Sequence, residues 1–221
     1  MNSKLKNLIF TCAGKGARIP FVNSLRLRSA KLSVNRSIVL HTRIDCKGKN
    51  NIIYLEDGCI LNKCRINIRG DNNEIYFHKG ICAEFTELWI EDDNNQIVIG
   101  ENTGLYGPIH LACIEGTSIK FGTDCLCSSD VVVRTGDSHS VLDGKGNRSN
   151  PSMDVVIGNH VWIGNRAILL KGVHIPNDCI IGTASVVTKR FEEEHVCIAG
   201  VPAKIVKRDV SWNPKRLPMG E

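Results

Sequence analysis

The chain has 221 residues, enough for one domain with a substantial core. Aromatic residues make up only 5% of it while Ile and Val abound, which suits a narrow aliphatic interior and excludes an aromatic platform for nucleic acid. The net charge of +5 is uneven: residues 1–44 hold nine Lys or Arg and no Asp or Glu, which leaves −4 for the rest.

Residues 1–45 read as a basic N-terminal arm carrying Lys4, Lys6, Lys15, Arg18, Arg26, Arg28, Lys31, Arg36 and Arg43. Such an arm is either a solvated surface or a dock for an anionic partner: a membrane face, a nucleotide-activated donor or an acidic polymer. A short helix is expected near Leu5–Phe10, whose apolar run is too short for a signal peptide. No stretch approaches the length of a membrane span.

From residue 46 a long repeat appears. Asn50-Asn51-Ile52, Asn72-Asn73-Glu74-Ile75, Asn94-Asn95-Gln96-Ile97 and Gly116-Thr117-Ser118-Ile119 recur at intervals of 22 or 23. Each reads as one coil, a polar corner tolerant of unusual backbone angles followed by a short strand. A tighter repeat follows, with an apolar residue at every sixth position: Ile157, Ile163, Leu169, Ile175, Ile181 and Val187. Small or modest residues accompany them at Val161, Ala167, Val173, Cys179 and Ser185. A period of six suits a three-sided coil that buries its apolar edge only against its neighbours, as in parallel β-helices. Phe121, Cys127 and Val133 keep that register across the join.

Between Val133 and Val155 the pattern lapses into RTGDSHSVLDGKGNRSNPSMD, so residues 134–154 are expected to protrude as a loop. Gly136 and Asp137 make a tight exit, Asp137 stands close enough in sequence to orient a ring, and His139 is a natural general base. After Arg190, Gly200-Val201-Pro202 signals a turn and 203–208 a closing strand; 207–221 read as a tail. The ten Cys lack CxxC spacing, and Cys59, Cys125 and Cys179 fall in inward or near-inward slots, where Cys acts as a small hydrophobe in a reduced, cytoplasmic protein.

Three runs carry a family likeness: Ile157-Gly158-Asn159-His160-Val161-Trp162-Ile163-Gly164, Ile181-Gly182-Thr183-Ala184-Ser185-Val186-Val187-Thr188-Lys189, and Ala199-Gly200-Val201-Pro202-Ala203-Lys204. They resemble the hexapeptide-repeat acyltransferases, with the capsular polysaccharide and sialic acid O-acetyltransferases nearest among them. The likeness is specific over 121–208. It implies an all-β, left-handed parallel β-helix over 46–206 with a protruding loop and short terminal extensions; the period alone does not give the hand. It implies a homotrimer with active sites between subunits, acetyl-CoA as co-substrate and no metal. The activity implied is transfer of acetyl to a sugar hydroxyl of a cell-surface glycan, a capsule or O-antigen, with sialic acid one candidate acceptor among others. The setting is cytoplasmic, at the inner face of the membrane if the basic arm docks there.

By position, the resemblance gives His139 as catalytic base and Trp162 as an aromatic near the reacting centre, or a packing residue at a corner. Asn165 and Thr183 match contacts to the pantetheine arm, Thr188 and Lys189 the far end of the cofactor, and Lys204 and Lys207 its phosphates. Pro108 and His110 depart from the pattern, where sugar acetyltransferases carry Asn or Asp, so a different acceptor pocket is expected. N-acetylation of a nucleotide-linked amino sugar and acetylation of an antibiotic stay open. So do a metalloenzyme resembling γ-type carbonic anhydrases, using His139 and His174, and a non-catalytic β-helix scaffold.

Overall fold

A computed structural model describes residues 23–219; the helix expected at 5–10 and four of the nine basic residues of the arm lie outside this range. All regular structure among the described residues is β-strand, arranged as a left-handed parallel β-helix of about seven turns. With no helix there, none is long and apolar enough to cross a membrane.

Three stacks of strands form the three sides. The first side holds β1 (Ser24–Arg26), β4 (Arg43–Lys47), β7 (Arg65–Arg69), the second halves of β9 (Cys82–Glu91) and β11 (Gly104–Cys113), β14 (Val131–Arg134), β17 (Ile168–Leu169) and β20 (Val186–Val187). The second holds β3 (Ile38–Leu40), β6 (Ile60–Asn62), the first halves of β9 and β11, β13 (Leu126–Cys127), β16 (Trp162–Ile163), β19 (Ile180–Ile181) and β21 (Cys197–Gly200). The third stacks β2 (Lys31–Val34), β5 (Ile52–Leu55), β8 (Glu74–Phe77), β10 (Gln96–Ile99), β12 (Ser118–Phe121), β15 (Val155–Ile157) and β18 (His174–Ile175). Strand β22 (Ala203–Lys207) returns antiparallel to β21 and closes the end.

Within the expected arm, residues 24–45 form coil: β1, β2 and β3 pair with β4, β5 and β6 above them. An Asn-Asn corner is absent there; Arg28 takes the left-handed backbone instead, at φ 51°, and Ser29 Oγ donates to Gly48 O at 2.8 Å.

Coil size changes along the column. In the wide coils Ile53 stacks under Ile75, whereas farther up Val156 stacks under His174, a shorter step along the chain. The shorter coils give each side six residues, so Ile157, Ile163, Leu169, Ile175, Ile181 and Val187 take the three sides in turn, all 2% exposed or less. Ile119 sits directly under Val155, a step twice that from Val156 to His174, so the protruding loop adds the length of one further short coil. That is why the six-residue register survives the interruption.

The wider coils have a polar seam. Asn50, Asn72, Asn94 and Gly116 adopt positive φ between 57° and 69°, a region that Asn and Gly enter at low cost. Their neighbours Asn51, Asn73 and Asn95 are buried, each side-chain oxygen accepting the backbone N–H of the residue one coil up at 2.8–3.1 Å. Burial of an amide is tolerable because its hydrogen bonds are made.

Candidate active site

The Asn seam ends where the loop begins. Thr117 Oγ1 donates to Thr135 Oγ1 at 2.7 Å, and Thr135 Oγ1 accepts Ile114 N–H at 3.1 Å. The next residue, Gly136, has no room for a side chain: a Cβ would stand 2.2 Å from Ser152 Oγ and 2.5 Å from Ile114 Cδ1. Thr135 O accepts Met153 N–H at 2.8 Å and closes the neck of the loop.

Asn150 pins the segment that carries His139. This buried amide uses all four of its hydrogen-bonding positions. Its Nδ2 donates to Asp137 Oδ2 and to His139 O, both at 2.8 Å, while Oδ1 accepts Val141 N–H at 2.8 Å and Arg148 Nε at 3.1 Å. The Asp137 carboxylate also receives Lys171 Nζ, and these two donors hold its pKa below the usual value. Asp137 therefore faces Lys171 and Asn150 rather than orienting the His139 ring, as its sequence position suggested. A second brace joins the loop to the wall: Arg148 Nη2 and Ser152 Oγ donate to Glu115 Oε2 at 2.9 and 2.7 Å, and drive the Glu115 carboxyl down to about 2. His139 itself is exposed, and its imidazole has no hydrogen-bond partner among the described residues.

His139 overlooks a cavity of about 380 Å³ on the first side of the column, lined also by Glu87, Trp89, His110, Ala112 and Arg134. Two vertical rows make it. In one, Asn67, Trp89, Ala112 and Arg134 stack coil on coil, and the small Ala112 between two large side chains forms the hollow. In the other, Arg65, Glu87, His110 and Val132 stack. Glu87 Oε2 lies 3.2 Å from His110 Nδ1, and Arg65 Nη1 lies 3.5 Å from Glu87 Oε1. His110 thus belongs to the cavity wall beside His139.

The remaining expected residues occupy other edges. Trp162 lies on the second side, 37% exposed, with Nε1 3.4 Å from Ser128 Oγ. Asn165 and Thr183 stack at the corner between the second and first sides, where Asn165 O accepts Ala184 N–H at 2.8 Å. The Asn165 amide is engaged below, donating to Ser129 O and Oγ at 2.9 and 2.6 Å. Thr188 and Lys189 follow β20 at the opposite corner of the first side; Lys189 Nζ lies 5.4 Å from the Phe191 ring centroid. Lys204 and Lys207 are exposed on β22 at the end of the column.

Sequence reasoning missed Arg134 and Trp89, which flank Ala112 from one coil above and one below, and Asn150, which reaches the His139 segment from the far end of the loop. The tail beyond β22 has no regular structure among the described residues, yet it packs on the column. Trp212 there stacks on His160 at 4.4 Å, donates Nε1 to His160 O at 2.8 Å, and lies 6.2 Å from the Trp162 ring.

Of the residues named for the metalloenzyme alternative, His174 is already engaged. His174 Nδ1 lies 3.1 Å from Phe191 O, and Cys179, a few positions on, is buried with its thiol pKa pushed up by burial. Burial likewise lifts Cys46, Cys64 and Cys125 to about 11, so these thiols are not poised as nucleophiles. Among the described residues no group of three His, Cys, Asp or Glu is placed to hold a metal ion.

No protein-family model matches the chain. A polysialic acid O-acetyltransferase of Neisseria meningitidis is 45% identical over 133 residues, which cover 52% of this chain and 62% of that protein. The match thus spans less than two thirds of that relative's length. The crystal structure of the polysialic acid O-acetyltransferase OatWY superposes with a TM-score of 0.74 at 29% identity, over 88% of each chain. That of the polySia specific acetyltransferase NeuO gives 0.76 at 27% identity, over 84% of this chain and 77% of the other. In sequence and fold the chain is therefore similar to the polysialic acid O-acetyltransferases, with the left-handed β-helix of the hexapeptide-repeat acyltransferases.

Proposed function

We propose that the chain is an acetyl-CoA-dependent O-acetyltransferase acting on a sugar hydroxyl of an acidic surface polysaccharide, with polysialic acid as the leading acceptor. The observation that carries this reading is His139, held at a braced loop root over a cavity on a rigid wall, together with the likeness to proteins named for that activity. His139 takes the proton of the acceptor hydroxyl as its oxygen attacks the thioester carbon. The tetrahedral intermediate then expels the thiolate, which leaves as coenzyme A on taking up a proton. A thioester is already activated, so placement and a base supply most of what the reaction needs.

Trp162 and His139 lie on different sides of one column, which supports a site assembled between subunits of a homotrimer: the Trp162 side of one subunit against the loop of the next. In that arrangement the corner of Asn165 and Thr183 offers backbone groups to the pantetheine arm. Thr188 and Lys189 meet the distal part of the donor, and Lys204 and Lys207 supply charge for its phosphates. The lysines give charge without the bidentate fork of Arg.

The direct test is to incubate the protein with acetyl-CoA and polysialic acid, follow thiol release and examine the glycan by mass spectrometry and NMR. Acetyl esters on sugar hydroxyls in step with thiol release are the expected result. Thiol release without glycan modification, or neither, contradicts the reading.

A further inference from the structure

The cations around the His139 cavity are matched to acids, with one exception. Arg65 pairs with Glu87, Arg69 with Asp45, Arg148 with Glu115 and Lys171 with Asp137. Arg134 has no carboxylate within ion-pair distance among the described residues. Its Nη2 donates only to Ser138 Oγ, at 3.1 Å, and its Nε is buried with no hydrogen-bond partner. Glu91, also on the cavity wall, accepts Trp89 Nε1 at 2.8 Å and leaves Arg134 unpaired.

An unmet guanidinium N–H shielded from water is costly, and native structures seldom keep one without a reason. The stacking explains how it is held: Arg134 stands one coil above Ala112, so nothing from the wall below reaches it. The side chain ends in the cavity that His139 overlooks. At the open end of the side chain Nη1 has no hydrogen-bond partner among the described residues, and Nη1 and Nη2 together form the planar edge that a carboxylate fills with two parallel hydrogen bonds.

We propose that Arg134 anchors the carboxylate of an acidic sugar acceptor, holding that sugar in the Ala112 hollow with a hydroxyl presented to His139. This deepens the acyl-transfer reading and rests on it for the identity of the reacting hydroxyl. A carboxylate suits the site better than a phosphate does. The neighbouring Glu87 and Glu91 oppose a dianion, and a single planar charge needs one fork.

The test is equilibrium binding of an oligosialic acid tetramer and of its carboxyl-reduced counterpart to the full-length protein saturated with coenzyme A. Wild type and Arg134→Gln are compared, with melting temperatures confirming that the variant folds. Wild type is expected to bind the carboxylated tetramer about 10- to 100-fold more tightly than the reduced one, the range of a charge-assisted contact. Arg134→Gln is expected to abolish that ratio by losing affinity for the carboxylated form alone. Equal binding of both forms by wild type, no binding of the carboxylated form, or a ratio preserved in Arg134→Gln overturns the proposal. So does a variant that loses coenzyme A in place of the glycan. A ratio that holds while wild type forms no acetyl ester leaves the anchor standing and removes the transferase reading instead.

Discussion

Replacing Asn150 with alanine separates the bracing of His139 from the stability of the column. The substitution deletes four hydrogen bonds, two to the loop strand at Val141 and Arg148 and two to Asp137 and His139 O. At about 0.5–1.5 kcal/mol net for each bond, the two that hold the base segment amount to about 1–3 kcal/mol. That energy belongs to the ordering of the loop, because the coils keep their core and ladder. A loop that spends correspondingly more time out of place predicts a kcat about 5- to 150-fold lower. Acetyl-CoA affinity should stay within about threefold and the melting temperature within a few degrees, in keeping with a perturbation confined to a surface loop. Asn150→Asp retains an acceptor for Val141 and Arg148 and loses both donors, so it should fall at least as far. Thiol-release kinetics alongside calorimetric titration with acetyl-CoA reads all three quantities. A kcat unchanged in both variants, or a loss of donor affinity as large as the loss in kcat, refutes the assignment of Asn150 as a positioning residue.

Leu169→Ala, at a fully buried inward slot of the short coils, should lower unfolding stability by about 2–5 kcal/mol in denaturant titration. Gly136→Ala should loosen the loop root, since its Cβ meets Ser152 and Ile114, and raise proteolytic cleavage within 137–150 while sparing the coils. Glu115 and Asp137 titrate lower when folded than when unfolded, so their bracing is complete above the ordinary carboxylate range and lost as pH falls through the folded values. Hydrogen-exchange protection in the loop, corrected for the intrinsic pH dependence of amide exchange, should therefore fall as pH drops from about 4.5 towards 2, the value of Glu115, and stay constant above that window. Lys204→Ala should weaken acetyl-CoA more than its dephospho form; equal losses argue against a 3′-phosphate contact.

The legible parts of the sequence were those with local periodicity. The row from Ile157 to Val187 marks inward positions because each side of a short coil takes six residues. The Asn pairs mark corners because one member needs positive φ and the other a buried partner one coil up. His139 stood out because it sits where the repeat lapses. What escaped depends on vertical neighbours. The hollow at Ala112 exists only because Trp89 and Arg134 lie a full coil below and above it, too far along the chain for any local pattern to join them. Asp137 was misassigned because Lys171, distant in sequence, takes its carboxylate. Trp212 reaches His160 from the far end of the chain with no repeat to announce it.

The central claim is that His139 is the base for acyl transfer, and single-turnover kinetics of His139→Ala tests it most directly. The account predicts at least a hundredfold slower acetyl transfer from bound acetyl-CoA to polysialic acid, with donor affinity nearly intact. A rate within a few-fold of wild type at saturating donor and acceptor contradicts it.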